Sequence, residues 1–398
     1  MITAPPLLPA ISEQSREDLV AWMAARGQPA YRARQLLRRR AAGAMFQEML
    51  DLPAVLRSEL AASFRVSSLT AIRRLETDQG LTTKKLYSLD GGYTVESVIM
   101  RYPQRSTLCI SSQVGCPIGC PFCATGQGPF GRNLRAHEIV DQALDACREL
   151  AAEGRRLSHV VFMGMGEPLA NYAAVLESVR RIADPAGLGL SARRITISTS
   201  GLVSRIDQLA QEGLPFTLAI SLHAARDELR DLLVPVNKRY PLAELVPAAD
   251  RFGRQTGRRV SYEWVLLAGV NDTQRDAREL GALLRGRLAH VNLIPFNPVD
   301  GAPYREPSPG AIRRFVAQVR AEGLNVTLRD TRGREQDAAC GQLRARELAD
   351  GSQPLDRGRG IAGPHEVGTA VVLSGRGGRA VGLPQHPNLV RAEERSVP

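Results

Sequence analysis

No stretch of this 398-residue chain stays apolar for the length needed to cross a bilayer. The segment Met1 to Val20 lacks the basic start, apolar core and small-residue cleavage site of a secretory leader. Cysteine is scarce: there are six, and Cys109, Cys147 and Cys340 stand apart from the other three, which is not the paired spacing of a disulfide framework. These absences lead to the expectation of a reduced, cytoplasmic protein with no membrane partner. Acidic residues are outnumbered, 41 Asp and Glu against 52 Lys and Arg, for a formal net charge of +11. Such an excess suits a polyanion, nucleic acid first, because cations that neutralise phosphates gain from counterion release. The arginine richness of a GC-rich genome is the plainer explanation of the same number. A hydrophobic fraction of 43% belongs to an ordinary globular protein, long enough for one large domain with attachments.

The chain is organised around Gly115 to Cys123, where Cys116, Cys120 and Cys123 form a C-x3-C-x2-C triplet just after the partly apolar run Leu108 to Val114. Three thiolates this close can serve one metal centre, and no fourth ligand is near. A structural zinc site usually takes four ligands in two pairs, so the triplet favours a centre with one open position. A zinc knuckle and three unrelated buried thiols are the alternatives.

Upstream, Ser12 to Arg40 carries helical periodicity (Leu19, Trp22, Met23, then Tyr31, Ala33, Leu36, Leu37) broken at Gly27 and Pro29. Arg32, Arg34, Arg38, Arg39 and Arg40 crowd one short helix, as a solvated face or as a phosphate-contacting surface. From Arg65 to Ser111 the period changes to two, with strands at Lys84 to Ser88, Tyr93 to Arg101 and Ser106 to Ile110 around a Gly91-Gly92 turn. Glu96 lies within the second of these, where a lone strand Glu is expected to face solvent unless a cavity receives it. Beyond the triplet, apolar runs at Val160 to Met163, Ile195 to Ser198, Thr217 to Leu222, Val260 to Leu267, Val291 to Phe296 and Val326 to Leu328 alternate with amphipathic helical stretches. This is the pattern of a complete or partial β/α barrel, shared with a doubly wound open sheet. The barrel is favoured because each polar motif falls at the carboxyl end of a strand. The expected organisation is a helical RNA-binding module at 1–64, a β linker at 65–106, a barrel core at 107–348 and a tail at 349–398. The tail has no aromatic residue, is rich in Gly, Pro and Arg, and reads as disordered.

Those motifs are Met163-Gly-Met-Gly-Glu-Pro168, Ser198-Thr-Ser-Gly201, Ser221-Leu-His-Ala224, Gly269-Val-Asn-Asp272, Pro295-Phe-Asn-Pro298 and Ala338-Ala-Cys-Gly-Gln-Leu343. Singly, each is a turn, a cap or a satisfied core histidine. In this order, and with the triplet, they make the chain from about Ser12 to Leu348 closely resemble the RlmN and Cfr family of radical S-adenosylmethionine (SAM) RNA methyltransferases. The resemblance implies an α/β fold: a radical SAM partial (β/α) barrel with a small N-terminal helical domain and a short antiparallel β extension. It implies a 4Fe-4S cluster on Cys116, Cys120 and Cys123. For SAM, it implies that Gly166 and Glu167 meet the amino group, Ser198 and Ser221-Leu222-His223 the ribose and carboxylate, and Asn297 the adenosine end. Cys340 matches the cysteine that is methylated, Cys109 its partner thiol, and Glu96 the proton acceptor. Cys147 has no family role and reads as a small buried hydrophobe.

The reaction so implied is methylation at C2 of adenosine 2503 in 23S rRNA and adenosine 37 in tRNA, with Cfr-type C8 methylation of the same rRNA adenosine as the alternative. An aromatic C–H is too poor a nucleophile to take a methyl group by displacement, so two SAM molecules serve each turnover. One methylates Cys340, and the other yields the radical that abstracts hydrogen from that methyl group. Cys109 then breaks the protein–RNA link and leaves a disulfide. Either Glu96 or the Cys109 thiolate can take the ring proton. A reducing donor such as flavodoxin or ferredoxin, and a monomeric state, are expected alongside. A zinc- or cluster-bearing RNA-binding module without catalysis would explain the charge and the triplet, but not Cys109, Cys340 and the strand-end loops.

Overall fold

The structure is a computed structural model that describes residues 7–299 and 301–329. Helix α1 (Arg16–Ala24) opens with a reciprocal cap: the Asp18 N–H donates to the Ser15 hydroxyl and the Ser15 N–H to the Asp18 carboxylate, both at 3.0 Å. With α2 (Tyr31–Ala41) and α3 (Ala54–Ser63) it encloses a small core of its own, built on Leu19, Met23, Leu36, Phe46, Leu56 and Leu60.

A four-stranded antiparallel meander follows: β1 (Thr70–Thr77), β2 (Thr82–Ser88), β3 (Thr94–Tyr102) and β4 (Arg105–Cys109). Gly91 and Gly92, at φ +86° and +74°, make the turn between β2 and β3. The short pair β5 (Gln113–Val114) and β6 (Arg132–Asn133) brackets the one-turn helix α4 (Ala124–Gln127). After α5 (Ala136–Ala152) the chain alternates through β7 (His159–Phe162), α6 (Tyr172–Ala183), β8 (Ile195–Thr199), α7 (Val203–Ala210), β9 (Thr217–Ser221), α8 (Asp227–Leu233), α9 (Leu242–Thr256), β10 (Val260–Leu266), α10 (Gln274–Leu284), β11 (Ala289–Pro295), α11 (Pro309–Ala321) and β12 (Val326–Leu328).

The main sheet runs β1-β2-β3-β4-β7-β8-β9-β10-β11-β12, antiparallel as far as β4 and parallel beyond it. The parallel strands follow chain order without a reversal, so right-handed crossovers carry the helices to one face of the sheet. A doubly wound sheet needs a reversal of strand order, and this one has none. The helix-free face is concave: Arg329, just after β12, brings its Nη2 to 3.9 Å from Met100 Sδ on β3, across the hollow. The partial barrel with an antiparallel extension is thus the observed architecture. The extension has one strand more than the expected three, because β1 is exposed along most of its length and lacks the apolar alternation that marks a strand in sequence.

The arginine run on α2 divides in the structure. Arg40 is buried and pairs with Asp141 of α5 at 3.5 Å, and Asp141 also accepts from Ser12 Oγ, Ser68 Oγ and the Ser68 N–H. Arg39 pairs with Asp51, and Arg32 donates to the Asp51 carbonyl. Arg34, Arg38 and Arg39 are exposed, and of these only Arg34 and Arg38, one turn apart, make no ion pair among the described residues. Arg40 therefore fastens the helical module to the barrel and is no phosphate contact. Replacing it by Ala leaves the buried Asp141 charge without its cation and should cost about 3 kcal/mol in urea unfolding. Arg38→Ala should stay within about 0.5 kcal/mol of the parent.

Candidate active site at the carboxyl ends of the strands

The thiol loop is wound by glycine. A Cβ on Gly115, at φ +79°, would lie 2.2 Å from the Pro129 carbonyl oxygen, and one on Gly126 would lie 2.8 Å from that of Cys120. The Cys123 N–H donates to the Cys120 carbonyl, and Cys116, Cys120 and Cys123 are all free thiols, half-buried. Burial pushes the Cys116 thiol up to about 12 and Cys120 well above its ordinary range, and the neighbouring sulfurs add to both shifts. Such a group of thiolates needs a bound cation to become anionic. Two buried hydroxyls nearby, Ser112 Oγ and Thr125 Oγ1, have no hydrogen-bond partner among the described residues. Three free thiols with uncommitted donors beside them fit an iron–sulfur cluster and its organic ligand.

After β7 the chain crosses Gly166 at φ +108°, where a Cβ would meet Gln113 Cβ at 2.7 Å and Ser112 Oγ at 2.8 Å. The next residue, Glu167, is buried. Its N–H donates to Gln113 Oε1, and its carboxylate accepts from Ser200 N–H and Ser200 Oγ at 2.7 Å each and from Leu169 N–H at 3.0 Å. Burial raises its pKa while these donors act in the opposite direction. The charge lies close enough to Cys116 and Cys120 to raise both thiols, so the residue expected at the SAM amino group shares one electrostatic neighbourhood with two of the thiols expected to hold the cluster.

At the ends of β8 and β9, Ser198 Oγ and Ser221 Oγ stand 3.4 Å apart. Beneath them lies Arg230 of α8, fully buried, whose guanidinium donates to the carbonyls of Ser200 (2.6 Å), Ser221 (3.1 Å) and Leu222 (3.1 Å) and to Asn237 Oδ1 (2.7 Å). Its charge also lowers the pKa of Cys120. His223 holds the left-handed backbone at φ +58°. Its Nδ1 accepts from Val265 N–H at 3.0 Å, which leaves the proton on Nε2, and Phe122 of the thiol loop meets the ring edge-on at 4.9 Å. Burial, and then Arg230, lower its pKa to about 3, so the imidazole is neutral across the physiological range. Asn271 locks the turn by donating to the carbonyls of His223 and Val265. Asn297 follows β11, half-buried, next to Phe296, which packs with Cys120 and Phe122 of the thiol loop in one apolar cluster.

A second group lies on the antiparallel extension. Glu96, expected at a solvent-facing strand position, has no exposed surface: its carboxylate pairs with the buried Lys84 ammonium at 3.3 Å. The correction follows from register. Lys84 pairs with Val98, Val98 with Cys109, and Glu96 lies two residues from Val98, so all three side chains share the face that lines the hollow. Burial pushes the Cys109 thiol up to about 11, while Arg329 and Lys84 draw it down and Glu96 pushes it up. Cys147 on α5 is half-buried, more open than a core position. Cys340, with its Ala338 to Leu343 motif, and the tail lie outside the described residues.

Sequence reading passed over Arg230, Lys84 and Gln142, and gave no role to Asn271 within the Gly269-Val-Asn-Asp272 motif. Gln142 exchanges hydrogen bonds with the main chain of Ser111 at 2.9 and 3.0 Å and so fixes the strand-to-loop corner before the triplet. A Gln on an amphipathic helix and an Arg in Asp-Glu-Leu-Arg carry no sequence signal, because their partners are main-chain carbonyls and amides supplied by other strands.

Residues 110–280 match the Radical SAM superfamily. The chain is 53% identical over 353 residues to a protein of Parafrankia sp. (strain EAN1pec) named probable dual-specificity RNA methyltransferase RlmN, covering 84% of this chain and 91% of that protein. A protein of the same name from Moorella thermoacetica is 51% identical over 327 residues, covering 80% and 92%. Among solved structures, a radical SAM methyltransferase from Sphaerobacter thermophilus is 47% identical and superposes with a TM-score of 0.80 over 85% of this chain and 99% of that one.

Replacing Cys116, Cys120 or Cys123 by Ala should abolish both iron binding and SAM cleavage after anaerobic reconstitution. Gly166→Ala should keep its iron but weaken SAM binding at least tenfold, because its methyl group has no room against Gln113. Iron analysis and a SAM binding titration on the same samples separate the two effects.

Proposed function

Because the chain belongs to the RlmN family of radical SAM RNA methyltransferases, whose members work with a 4Fe-4S cluster and SAM, we propose that it methylates C2 of adenosine 2503 in 23S rRNA and adenosine 37 in tRNA through a methylcysteine at Cys340. The observation that carries this reading is the trio of Cys109, Glu96 and Lys84 on the face of the extension that continues into the barrel hollow, next to the strand ends that bear the thiol triplet.

In this reading Cys116, Cys120 and Cys123 hold the cluster, which supplies the electron that turns SAM into a radical source. Glu167 beside Gly166 receives the SAM amino group, Ser198 and Ser221 with Leu222 and neutral His223 its ribose and carboxylate, and Asn297 its adenosine end. Two SAM molecules are used per turnover, one for Cys340 and one for the radical. The base is Glu96. Its carboxylate is held beside Lys84, whereas the buried Cys109 keeps its proton at neutral pH, with a pKa near 11. Cys109 gives up its proton only when it attacks the Cys340 sulfur as a thiolate: the new S–S bond forms as the bond from that sulfur to the base carbon breaks, the RNA leaves, and a flavodoxin- or ferredoxin-type donor returns the two electrons that reduce the disulfide. The test of position is mass spectrometry of adenosine isomers from 23S rRNA and tRNA incubated with the enzyme: 2-methyladenosine in both supports the reading, and 8-methyladenosine overturns it.

The two thiols have separable fates. Cys340→Ala should keep the cluster and form neither methyladenosine nor a protein–RNA adduct. Cys109→Ala should retain the step that joins Cys340 to RNA and lack the one that breaks the link, so protein purified from cells should carry an RNA crosslink. Denaturing gels with and without ribonuclease distinguish the two variants.

RNA affinity should fall steeply with salt. The exposed α2 pair Arg34 and Arg38 offers two phosphate contacts, so replacing both by Gln should lower the slope of log K against log salt by about 1 per lost contact. A filter-binding titration with a tRNA at several salt concentrations reads this directly.

A further inference from the structure

The parallel strands all run one way, so the ends opposite the thiol triplet also lie together, and they form the floor of a cavity of about 600 Å³ whose walls rise past Val161 and Glu263 to Met163 and Arg329 at the carboxyl ends. Its ring is cationic. Arg105 begins β4, Arg193 and Arg194 immediately precede β8, and Arg259 immediately precedes β10, whereas Arg329, after β12, stands at the opposite, carboxyl end near Cys109. Among the described residues Arg193, Arg194 and Arg259 make no ion pair with a carboxylate, and Arg105 stacks on the Tyr102 ring at 4.2 Å. The one carboxylate in the lining, Glu263, is buried and already accepts from Ser261 Oγ (2.8 Å) and Asn292 Nδ2 (2.9 Å). Two residues nearer the floor, His290 directs Nε2 to Asn292 Oδ1 and Thr327 Oγ1 at 3.1 Å each, while its Nδ1 is buried with no partner among the described residues.

Several guanidiniums around one hollow repel each other unless an anion sits between them. The two histidines register that field: burial lowers the pKa of both, and Arg105 and Arg194 lower His159 further, as Arg259 does His290. The cavity has the size of a small-molecule site. Its hydroxyl, amide and imidazole lining belongs with a ligand rich in acceptors, and its concave form takes a free nucleotide or oligophosphate whole, whereas a nucleic-acid duplex would touch only the rim.

We propose that the amino-terminal floor of the barrel is a binding site for a small polyanion of the phosphate class, a nucleoside triphosphate or an inorganic oligophosphate, at the end of the sheet opposite the methyl-transfer site. Strands of five to seven residues at about 3.3 Å per residue place the two ends roughly 15–20 Å apart. The arginine ring thus lies that far from Cys109 along one cavity, and the floor site does not depend on which adenine carbon is methylated.

The experiment is calorimetric titration of the cluster-loaded full-length protein with inorganic tripolyphosphate, ATP and adenosine at about 0.15 M salt, where exposed charges are screened beyond about 8 Å. Saturable binding of tripolyphosphate or ATP with one site per chain, and none of adenosine, is expected. Equal affinities would mean that the arginines read only the phosphates, and tighter ATP binding that the hollow also takes the nucleoside. The floor variant Arg194→Gln with Arg259→Gln should bind at least tenfold more weakly while melting at the parent temperature without ligand. The α2 variant Arg34→Gln with Arg38→Gln should bind like the parent. No saturable binding, unchanged affinity in the floor variant, or an equal loss in the α2 variant would overturn the proposal.

Discussion

A guanidinium with no water around it holds the catalytic end of this barrel together. Arg230 spends its donors on the main chain of two strand ends and on Asn237, and Asn237 in turn donates to Asp227 and Asp231 of the same helix. Hydrogen bonds from a charged donor are stronger than neutral ones, and a buried Arg left without them would be among the most costly groups in the molecule. The β8 and β9 loops are thus fixed relative to each other before any ligand arrives. The same helix carries Leu233, which packs in the apolar cluster that contains Cys120 and Phe122, so the thiol loop rests on the element that positions the serine loops.

The backbone at His223 depends on this rigidity. A non-glycine residue in the left-handed region costs about 1 kcal/mol or more, and it persists only where the surroundings over-determine it. Here Asn271 grips the carbonyls of His223 and Val265, the Val265 N–H fixes the ring, and Phe122 covers it. The outcome is an imidazole of one tautomer, neutral, presenting a single N–H. In the SAM-binding role proposed for His223, a charged ring would repel the sulfonium, and depression of the pKa by burial removes that conflict.

The parallel strands were legible because each is a short apolar run punctuated by turn residues, and all six expected beyond the triplet lie within two residues of the observed limits. The loops after them were legible because their residue types are unusual at strand ends: Gly-Glu-Pro, Ser-Thr-Ser-Gly, Ser-Leu-His. What could not be read is whatever depends on pairing between distant strands. Glu96 looks like any solvated strand carboxylate until β2 sets Lys84 beside it, and Arg40 looks like its neighbours on α2 until Asp141 arrives from a helix 101 residues away. β1 escaped for the opposite reason: with both faces largely open it carries no alternation to detect.

The strand β4 belongs to two architectures, since it pairs antiparallel with β3 and parallel with β7. Cys109 and Glu96, the proposed thiol and base, therefore sit on a hairpin arm, and the loops proposed to hold SAM on the repeating βα units, with one shared strand as the seam. An ancestral barrel could acquire such an arm by extension at its first strand without altering any loop at the opposite edge. Later lineages could then change the arm's side chains, and with them the chemistry done on the base, while inheriting the radical-generating half intact. Insertions and deletions should accordingly be tolerated in the Gly91-Gly92 turn only where they preserve strand parity, since a shift of one residue would turn Glu96 out of the hollow and end its partnership with Lys84.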